Sequence, residues 1–282
     1  MPSLSELQQW TGRSETKSDR ITDIPVAAMQ ATLDIDAPFP AAGDALPPLW
    51  HWLYFLPLHR HSDIGEDGHA KRGGFLPPVP LPRRMWAGGR LQFLQPLRVG
   101  DAIERTSRIV SVDAKEGRSG SLVFVLVRHE IAGPSGLAVV EEHDIVYRGM
   151  GGGTATAAGV PAPADHAWER TIRPDEVMLF RYSALTCTGH RIHYDRSYVT
   201  SVEGYPGLIV HGPLIATLLL ELVREKLPDA QVIGYRFKAV RPLFDTADFS
   251  VCGKPSEDGR SVSLWARDPD GLLAMEATAT LA

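Results

Sequence analysis

Two apolar segments bounded by proline stand ahead of two series of short alternating runs, and this arrangement predicts the elements of the chain. In the second half, Leu214, Leu218 and Leu222 share one helical face and Ile215 and Leu219 the next, with Pro213 suited to a first turn and Pro228 to a stop. A helix that is apolar nearly all round belongs in a core and not on a surface. In the first half, LWHWLYFL (Leu49 to Leu56, between Pro47-Pro48 and Pro57) is its shorter counterpart. Strands are predicted where residues alternate or run apolar between turn signals: Ile103–Val112, Leu122–Val127, Val139–Tyr147, Val232–Val240, Phe249–Cys252 and Leu273–Leu281. One long helix wrapped by an antiparallel sheet, twice over, is an α+β layout.

The order of turn signals repeats. Pro96-Leu97, Gly100-Asp101, Gly117-Arg118-Ser119 before SLVFVLV, and Gly136-Leu137 leading to Glu141 are matched by Pro242-Leu243, Asp245, Gly259-Arg260-Ser261 before VSLWA, and Gly271-Leu272 leading to Glu276. The last spacing is identical in both, and the whole reads as a tandem duplication. Between the copies, small residues, Gly and Pro from Met150 to His166 replace any periodicity and read as a linker. The predicted organisation is residues 1–150, a linker at 151–166, and residues 167–282.

Composition narrows the function. With 282 residues, 44% of them hydrophobic, the chain can bury a full core. A net charge of −5 argues against a surface built to coat nucleic acid. The longest apolar run, Leu214 to Leu222, falls short of the roughly 18 residues that span a bilayer, so no membrane partner is expected. The first twenty residues lack the apolar core of a secretory signal and two cysteines, Cys187 and Cys252, make no disulfide framework, so a cytoplasmic location is expected.

Three segments could carry chemistry. SALTCTGHRIHYD (Ser183 to Asp195) gathers His190, Arg191, His193 and Asp195 within six positions, where a turn could bring them together, or where they could line a solvated loop. Imidazole changes charge near neutral pH, the property that acid/base chemistry needs. GLIVHGPL (Gly207 to Leu214) places His211-Gly212-Pro213 at the start of the predicted helix, whose unsatisfied N–H groups can hold a developing negative charge, or where Gly-Pro merely begins the helix. From Lys71 to Gly100 there are six basic residues and no acidic one, with Trp86 and a Gly88-Gly89 pair; this suits an anionic ligand, or an extended connector around LPPVPLP. No CxxC, HExxH, EF-hand or Walker pattern occurs, GMGGGTATAAG follows no strand of a βαβ unit, Ser119 and Ser121 lack a nucleophile elbow, and no metal site is expected.

LPRRMWAGG (Leu81 to Gly89), SALT…GHRIHYD and GLIVHGPL, in this order, resemble the MaoC-like double hotdog hydratases. The branch most similar contains the mitochondrial-type 3-hydroxyacyl-thioester dehydratases and the bacterial mesaconyl-C4-CoA and itaconyl-CoA hydratases. The resemblance implies a tandem hotdog fold, an acyl-CoA substrate, and no metal or redox cofactor, and leaves a homo-oligomer open. The family's motif histidine falls on His193, its trailing Asp on Asp195 in a capping role, and its oxyanion glycine on Gly212. Its catalytic Asp or Asn falls on Thr188, preceded by Cys187 where the branch has Phe. Thr cannot serve as a carboxylate base. Either Thr188 only binds the water while His193 moves the proton, or His190 takes the second role, or the activity is impaired or altered in specificity. The resemblance further implies that Arg83, Arg84, Trp86, Arg191 and His211 surround the substrate. It points to hydration of a C5 dicarboxylic enoyl-CoA to citramalyl-CoA. The alternatives are a 3-hydroxyacyl-thioester dehydratase of fatty-acid synthesis and a non-catalytic acyl-CoA-binding protein.

Overall fold

The computed structural model describes residues 3–117, 120–149 and 159–282. Ten strands form one antiparallel sheet. The first half contributes β1 (Ser14–Arg20), β2 (Arg83–Phe93), β3 (Ala102–Gly117), β4 (Gly120–Gly133) and β5 (Gly136–Arg148). The second contributes β6 (Trp168–Ile172), β7 (Val232–Ala239), β8 (Phe249–Pro255), β9 (Ser261–Arg267) and β10 (Leu273–Leu281). The order β1-β3-β4-β5-β2-β7-β10-β9-β8-β6 reads the same from either edge once the halves are matched, so the duplication seen in the turn signals is a duplication of topology. Local bonds repeat as well. Leu94 and Gln95 N–H both donate to the Ala138 carbonyl, and Val240 and Arg241 N–H both donate to that of Ala274. The matched glycines Gly136 and Gly271 turn their hairpins with φ of 103° and 79°, a conformation that L side chains rarely adopt.

The predicted helix is α5 (Gly212–Lys226), with Pro213 in its first turn and every residue from Leu214 to Val223 buried. It lies against β8, β9 and β10. Its counterpart differs from expectation: Leu49 to Leu56 forms only a 3-10 turn, Trp50–Leu53, flanked by Leu49 and Phe55 at φ of 73° and 55°. The reason lies in where its aromatic side chains bond. Trp50 Nε1 donates to Glu221 of α5 (2.8 Å), Trp52 Nε1 to Glu141 of β5 (2.8 Å) and Tyr54 OH to the Thr22 carbonyl (2.6 Å), three directions that no continuous helix would serve. The first half has its helix elsewhere, at α2 (Asp23–Thr32), which packs on α3 (Glu176–Leu185). α1 (Leu4–Gln8) and α4 (Arg196–Ser201) are short.

Part of the predicted linker, and Arg118 and Ser119 of the first turn signal, lie outside the described residues. The far end of that linker is ordered into the second half through a bridge between Pro161 and Leu272. Among the described residues no helix is long and apolar enough to cross a membrane. One apolar core runs through both halves, Trp50 and Leu53 sharing it with Leu214 and Leu218.

The seam between the halves is the pairing of β2 with β7, Gly88–Gln92 against Gly234–Lys238. It depends on close approach. A Cβ on Gly88 would lie 2.6 Å from the Phe237 carbonyl oxygen, and one on Gly89 would lie 3.0 Å from that of Glu142. Backbone cannot yield as a flexible side chain can. Gly88→Ala is therefore expected to cost about 1–3 kcal/mol of folding stability, read by urea denaturation. Gly74→Ala, where an added Cβ meets nothing within 4 Å, serves as the reference and should stay within about 0.5 kcal/mol of the parent.

Candidate active site

Helix α3 begins at Asp175, whose side chain accepts the Met178 N–H (2.9 Å), and ends in a tight reversal. Cys187 takes a φ of 51°, and Thr188 N–H returns to the Ser183 carbonyl (2.8 Å). The chain then runs through a 3-10 turn, Arg191–His193, to Asp195, which caps α4 by accepting the Tyr198 N–H at 3.0 Å. The turn folds the polar residues together, as that segment required for any chemistry.

His193 Nδ1 lies 2.7 Å from the Ile209 carbonyl oxygen. A carbonyl only accepts, so Nδ1 carries the proton and Nε2 presents a lone pair. The His193 ring stacks on His211 (centroids 3.8 Å, 16°), and His211 Nε2 bonds the Ser183 hydroxyl at 2.8 Å. On the other side His190 meets His193 edge-on (5.6 Å) and lies 3.9 Å from the ring of His69, a first-half residue that the sequence reading overlooked. Burial pushes these imidazoles toward the neutral form: His193 falls to about 4 and His211 well below its usual value, while His190 falls to about 2 with His69 and His193 adding to the effect.

Thr188 takes part in a hydroxyl chain. Thr186 Oγ1 donates to the Tyr182 carbonyl (2.8 Å), so in its 2.8 Å contact with Thr188 Oγ1 the hydrogen comes from Thr188. The lone pairs of Thr188 are left to accept. Gly212 opens α5, where the helix itself leaves its N–H unsatisfied, and a Cβ there would meet nothing within 4 Å. His193, His211, Thr188 and Gly212 line one wall of a cavity of about 700 Å³.

The opposite wall comes from the first half, where the expected residues divide. Trp86 lines the cavity, its ring 4.0 Å from His143 and 5.0 Å from Trp52. Arg84 lines it too, close enough for its charge to act on His69 and His190. Arg83 and Arg191 turn to protein partners instead. Arg83 pairs with Glu203 (3.1 Å) and lies over Tyr205; Arg191 pairs with Asp195 (2.8 Å), donates to the Glu66 carbonyl and lies over Tyr198. Each finds a carboxylate nearer than any ligand.

Five cavity residues of this wall, Glu141, His143, His51, Trp52 and Arg105, were not marked as site residues by the sequence. Glu141, buried, accepts His143 Nε2 (2.5 Å), His51 Nε2 (3.0 Å) and Trp52 Nε1 (2.8 Å). Burial alone would raise its carboxyl, but His143 and His51 hold it well below the usual range. Arg105 lies over Phe55 (4.9 Å), with Glu141, Glu15 and Asp19 as the nearest opposite charges. The signal for Glu141 was present in the repeated Gly-Leu…Glu spacing, and only a polar residue at an inward position of β5 would have marked it as buried.

A family profile described as hydroxyacyl-thioester dehydratase type 2 matches residues 49–245. The chain belongs to this family. It is 45% identical over 280 residues, 99% of each chain, to the mesaconyl-C(4)-CoA hydratase of Chloroflexus aurantiacus. In fold it resembles a solved MaoC-like dehydratase with a TM-score of 0.72 at 13% identity, covering 99% of each chain. It also resembles a Mycobacterium tuberculosis protein described as a double hotdog, with a TM-score of 0.58 at 14% identity, covering 100% of this chain and 98% of that one. The fold is a double hotdog, with α5 as the long central helix of the second copy and the 3-10 turn in its place in the first.

The neutral histidines make stability depend on pH in a stated direction. An unfolded chain protonates histidine near pH 6.5, whereas the folded one keeps His193, His190, His211 and His129 neutral well below that. The unfolded state then binds more protons, and stability falls as the pH falls from 6.5. Each such group contributes a slope of about 1.4 kcal/mol per pH unit. Urea unfolding at pH 7.0 and 5.5, above the range where carboxylates titrate, should show the midpoint drop; an unchanged midpoint would mean that these imidazoles titrate normally.

Proposed function

We propose that the protein adds water across the 2,3 double bond of an enoyl-CoA thioester. The observation that carries this reaction is the pairing, on one cavity wall, of a tautomer-fixed histidine lone pair with a free helix-terminal N–H. The water oxygen bonds to the β-carbon, and the π electrons move onto the thioester oxygen, where the Gly212 N–H at the positive end of α5 stabilises the enolate. His193 Nε2 takes the proton from the water and returns it to the α-carbon, while Thr188 Oγ1, its own hydrogen given to Thr186, turns free lone pairs to the same cavity. The thioester itself acidifies the α-position, so the reaction as proposed asks for no cofactor.

The substrate we infer is a C5 dicarboxylic enoyl-CoA, mesaconyl-C4-CoA, giving citramalyl-CoA; itaconyl-CoA, whose methylene double bond is not conjugated with the thioester, enters this reaction only after a proton shift to the 2,3 position. The relative that shares 45% identity along the whole chain is named for the first of these. In a mesaconyl-C4 group the free carboxylate sits on the carbon that receives the hydroxyl. Its counter-charge must then lie beside the histidines, and Arg84 is the cavity arginine whose charge acts on His69 and His190. Arg84 meets the Tyr147 hydroxyl, and a purely apolar acyl chain would leave that cation without an anionic partner, at a cost. A CoA thioester is water-soluble, which fits a cytoplasmic enzyme. The family profile also supports a second reading, dehydration of a longer 3-hydroxyacyl thioester by the same groups run in reverse.

Loss of the conjugated enoyl-thioester absorbance measures turnover. His193→Ala should lower kcat by about 10²-fold or more while the protein stays folded. Thr188→Asn, which keeps an acceptor at that place in the cavity, should retain activity. The parent should prefer mesaconyl-C4-CoA or itaconyl-CoA to crotonyl-CoA in kcat/KM, and Arg84→Ala should erase that preference; a parent that prefers crotonyl-CoA or a longer chain is a fatty-acid dehydratase instead.

A further inference from the structure

A loop of the first half, between the 3-10 turn His61–Asp63 and β2, reaches across and seats on the catalytic loop of the second. The Asp67 carbonyl accepts the Arg191 N–H (2.9 Å), and the Glu66 carbonyl accepts the Arg191 guanidinium (3.0 Å). Between them Gly68, at φ of 87°, presses on Gly189 so closely that a Cβ would overlap the Gly189 carbonyl oxygen. This contact brings His69 to the cavity, which the same loop also lines with Phe75 and Leu76.

His69 is held as a base is held. Both its backbone N–H and its Nδ1 lie 3.0 Å from the Asp67 carboxylate. An ionised carboxylate only accepts, so Nδ1 carries the proton and Nε2 is left with a lone pair. The bond keeps Asp67 ionised, lowering its carboxyl far below the usual range. The ring lies against His190 at 3.9 Å, and its charge acts on His193, so the two lone pairs belong to one site. A water has two hydrogens, and the hydration proposed above occupies one of them with His193.

We propose that His69, oriented by Asp67, is a second catalytic residue of this site, whose Nε2 accepts the other hydrogen of the attacking water. Asp67 is then a positioning residue: it sets the tautomer of His69 and offsets any charge that gathers on the ring. In the step itself one O–H bond breaks toward His193 as the bond from oxygen to the β-carbon forms, and the O–H directed at His69 remains in the product hydroxyl. The first hotdog thus contributes to the chemistry and not only to the wall. This inference rests on the hydratase reading and adds a residue to it.

The groups facing His69 are Asp67, which favours its protonation, and Arg72, Arg84, His190 and His193, with burial opposing it. Protonated His69 cannot accept a hydrogen bond from water, so activity should fall on the acid side as it titrates. Asp67→Asn removes the favouring charge, lowers the His69 pKa, and moves that limb of the kcat/KM profile to lower pH. A merely structural loop would lower activity without moving the limb.

The test begins with the parent enzyme on mesaconyl-C4-CoA, itaconyl-CoA and crotonyl-CoA; absence of turnover on all three overturns the hydratase reading itself. Given turnover, His69→Phe keeps a ring against His190 and removes the acceptor, and should lower kcat by about 10²-fold with KM within a few-fold. Should the Phe variant prove unfolded by circular dichroism, His69→Leu, which also removes the acceptor, tests the kcat loss, and Asp67→Asn tests the shift of the acid limb. Parent-like kcat in the folded His69 variants, or an acid limb that Asp67→Asn leaves in place, overturns the proposal. Asp67, His69 and His190 also offer three atoms within 4.8 Å of one another. Loss of activity on chelation, restored by zinc alone, would replace the acid/base role with a metal site.

Discussion

Everything at the cavity depends on how closely β2 and β7 approach. Without a side chain at Gly88 the two backbones pair directly, and the two copies become one sheet whose main apolar core is shared. That seam brings Trp86 and Phe237, from different halves, within 5.5 Å, and sets the first-half aromatic wall opposite the second-half helix. A hinge or a wider gap would separate the Asp67–His69 pair from His193 and Gly212, which line one cavity only because the halves are joined. The second close glycine contact, Gly68 on Gly189, repeats the device at the level of loops. In both places backbone meets backbone, where geometry is least forgiving.

Charge inside the cavity is balanced by assignment. Arg83 and Arg191 are matched with Glu203 and Asp195 and serve as clamps that hold the loops in place. Glu141 is matched with His51, His143 and Trp52, which fixes three rings of the wall in one orientation. A half-satisfied polar network in such surroundings would be costly, and this one is saturated by its donors. Arg84 and Arg105 face the cavity without a carboxylate within ion-pair distance among the described residues. The first-half wall therefore has cationic character to offer, and the wall built around His193 has imidazoles that burial keeps neutral.

Much of this was legible in the sequence. Repeated turn signals gave the duplication because identical spacing from Gly136 to Glu141 and from Gly271 to Glu276 constrains a hairpin wherever it occurs. The all-round apolar pattern of α5 gave a buried helix, and Pro213 gave its start. What could not be read follows from physics that spacing does not record. SETKSDR forms edge strand β1 with no apolar alternation to announce it, because it borrows its order from β3. LWHWLYFL has helical composition but is pulled apart by three hydrogen bonds to distant partners. Arg83 and Arg191 are basic near the site but bonded elsewhere, and no local pattern names a partner more than a hundred residues away, as Glu203 is for Arg83. His69 stood in GEDGHAKRGG, which reads as a turn; only the crossing of the loop makes it part of a cavity.

The two copies have diverged in a way that divides their labour. A 15-residue helix places Gly212 at the positive end of a full macrodipole, where the helix itself offers no partner to the Gly212 and Leu214 N–H groups. The other copy has a four-residue turn in its place, which carries no comparable dipole; of its side chains His51 and Trp52 line the cavity and Trp50 is buried. Of these, Trp50 bonds to Glu221 on α5 itself, so the lost helix of one half has become a brace for the retained helix of the other. Burial raises the Glu221 carboxyl, and the Trp50 N–H with Arg224 opposes that rise. A duplicated fold with two equal helices would have two oxyanion sites and little room between them. Shortening one helix leaves a single site and opens the space in which an acyl thioester can lie against it.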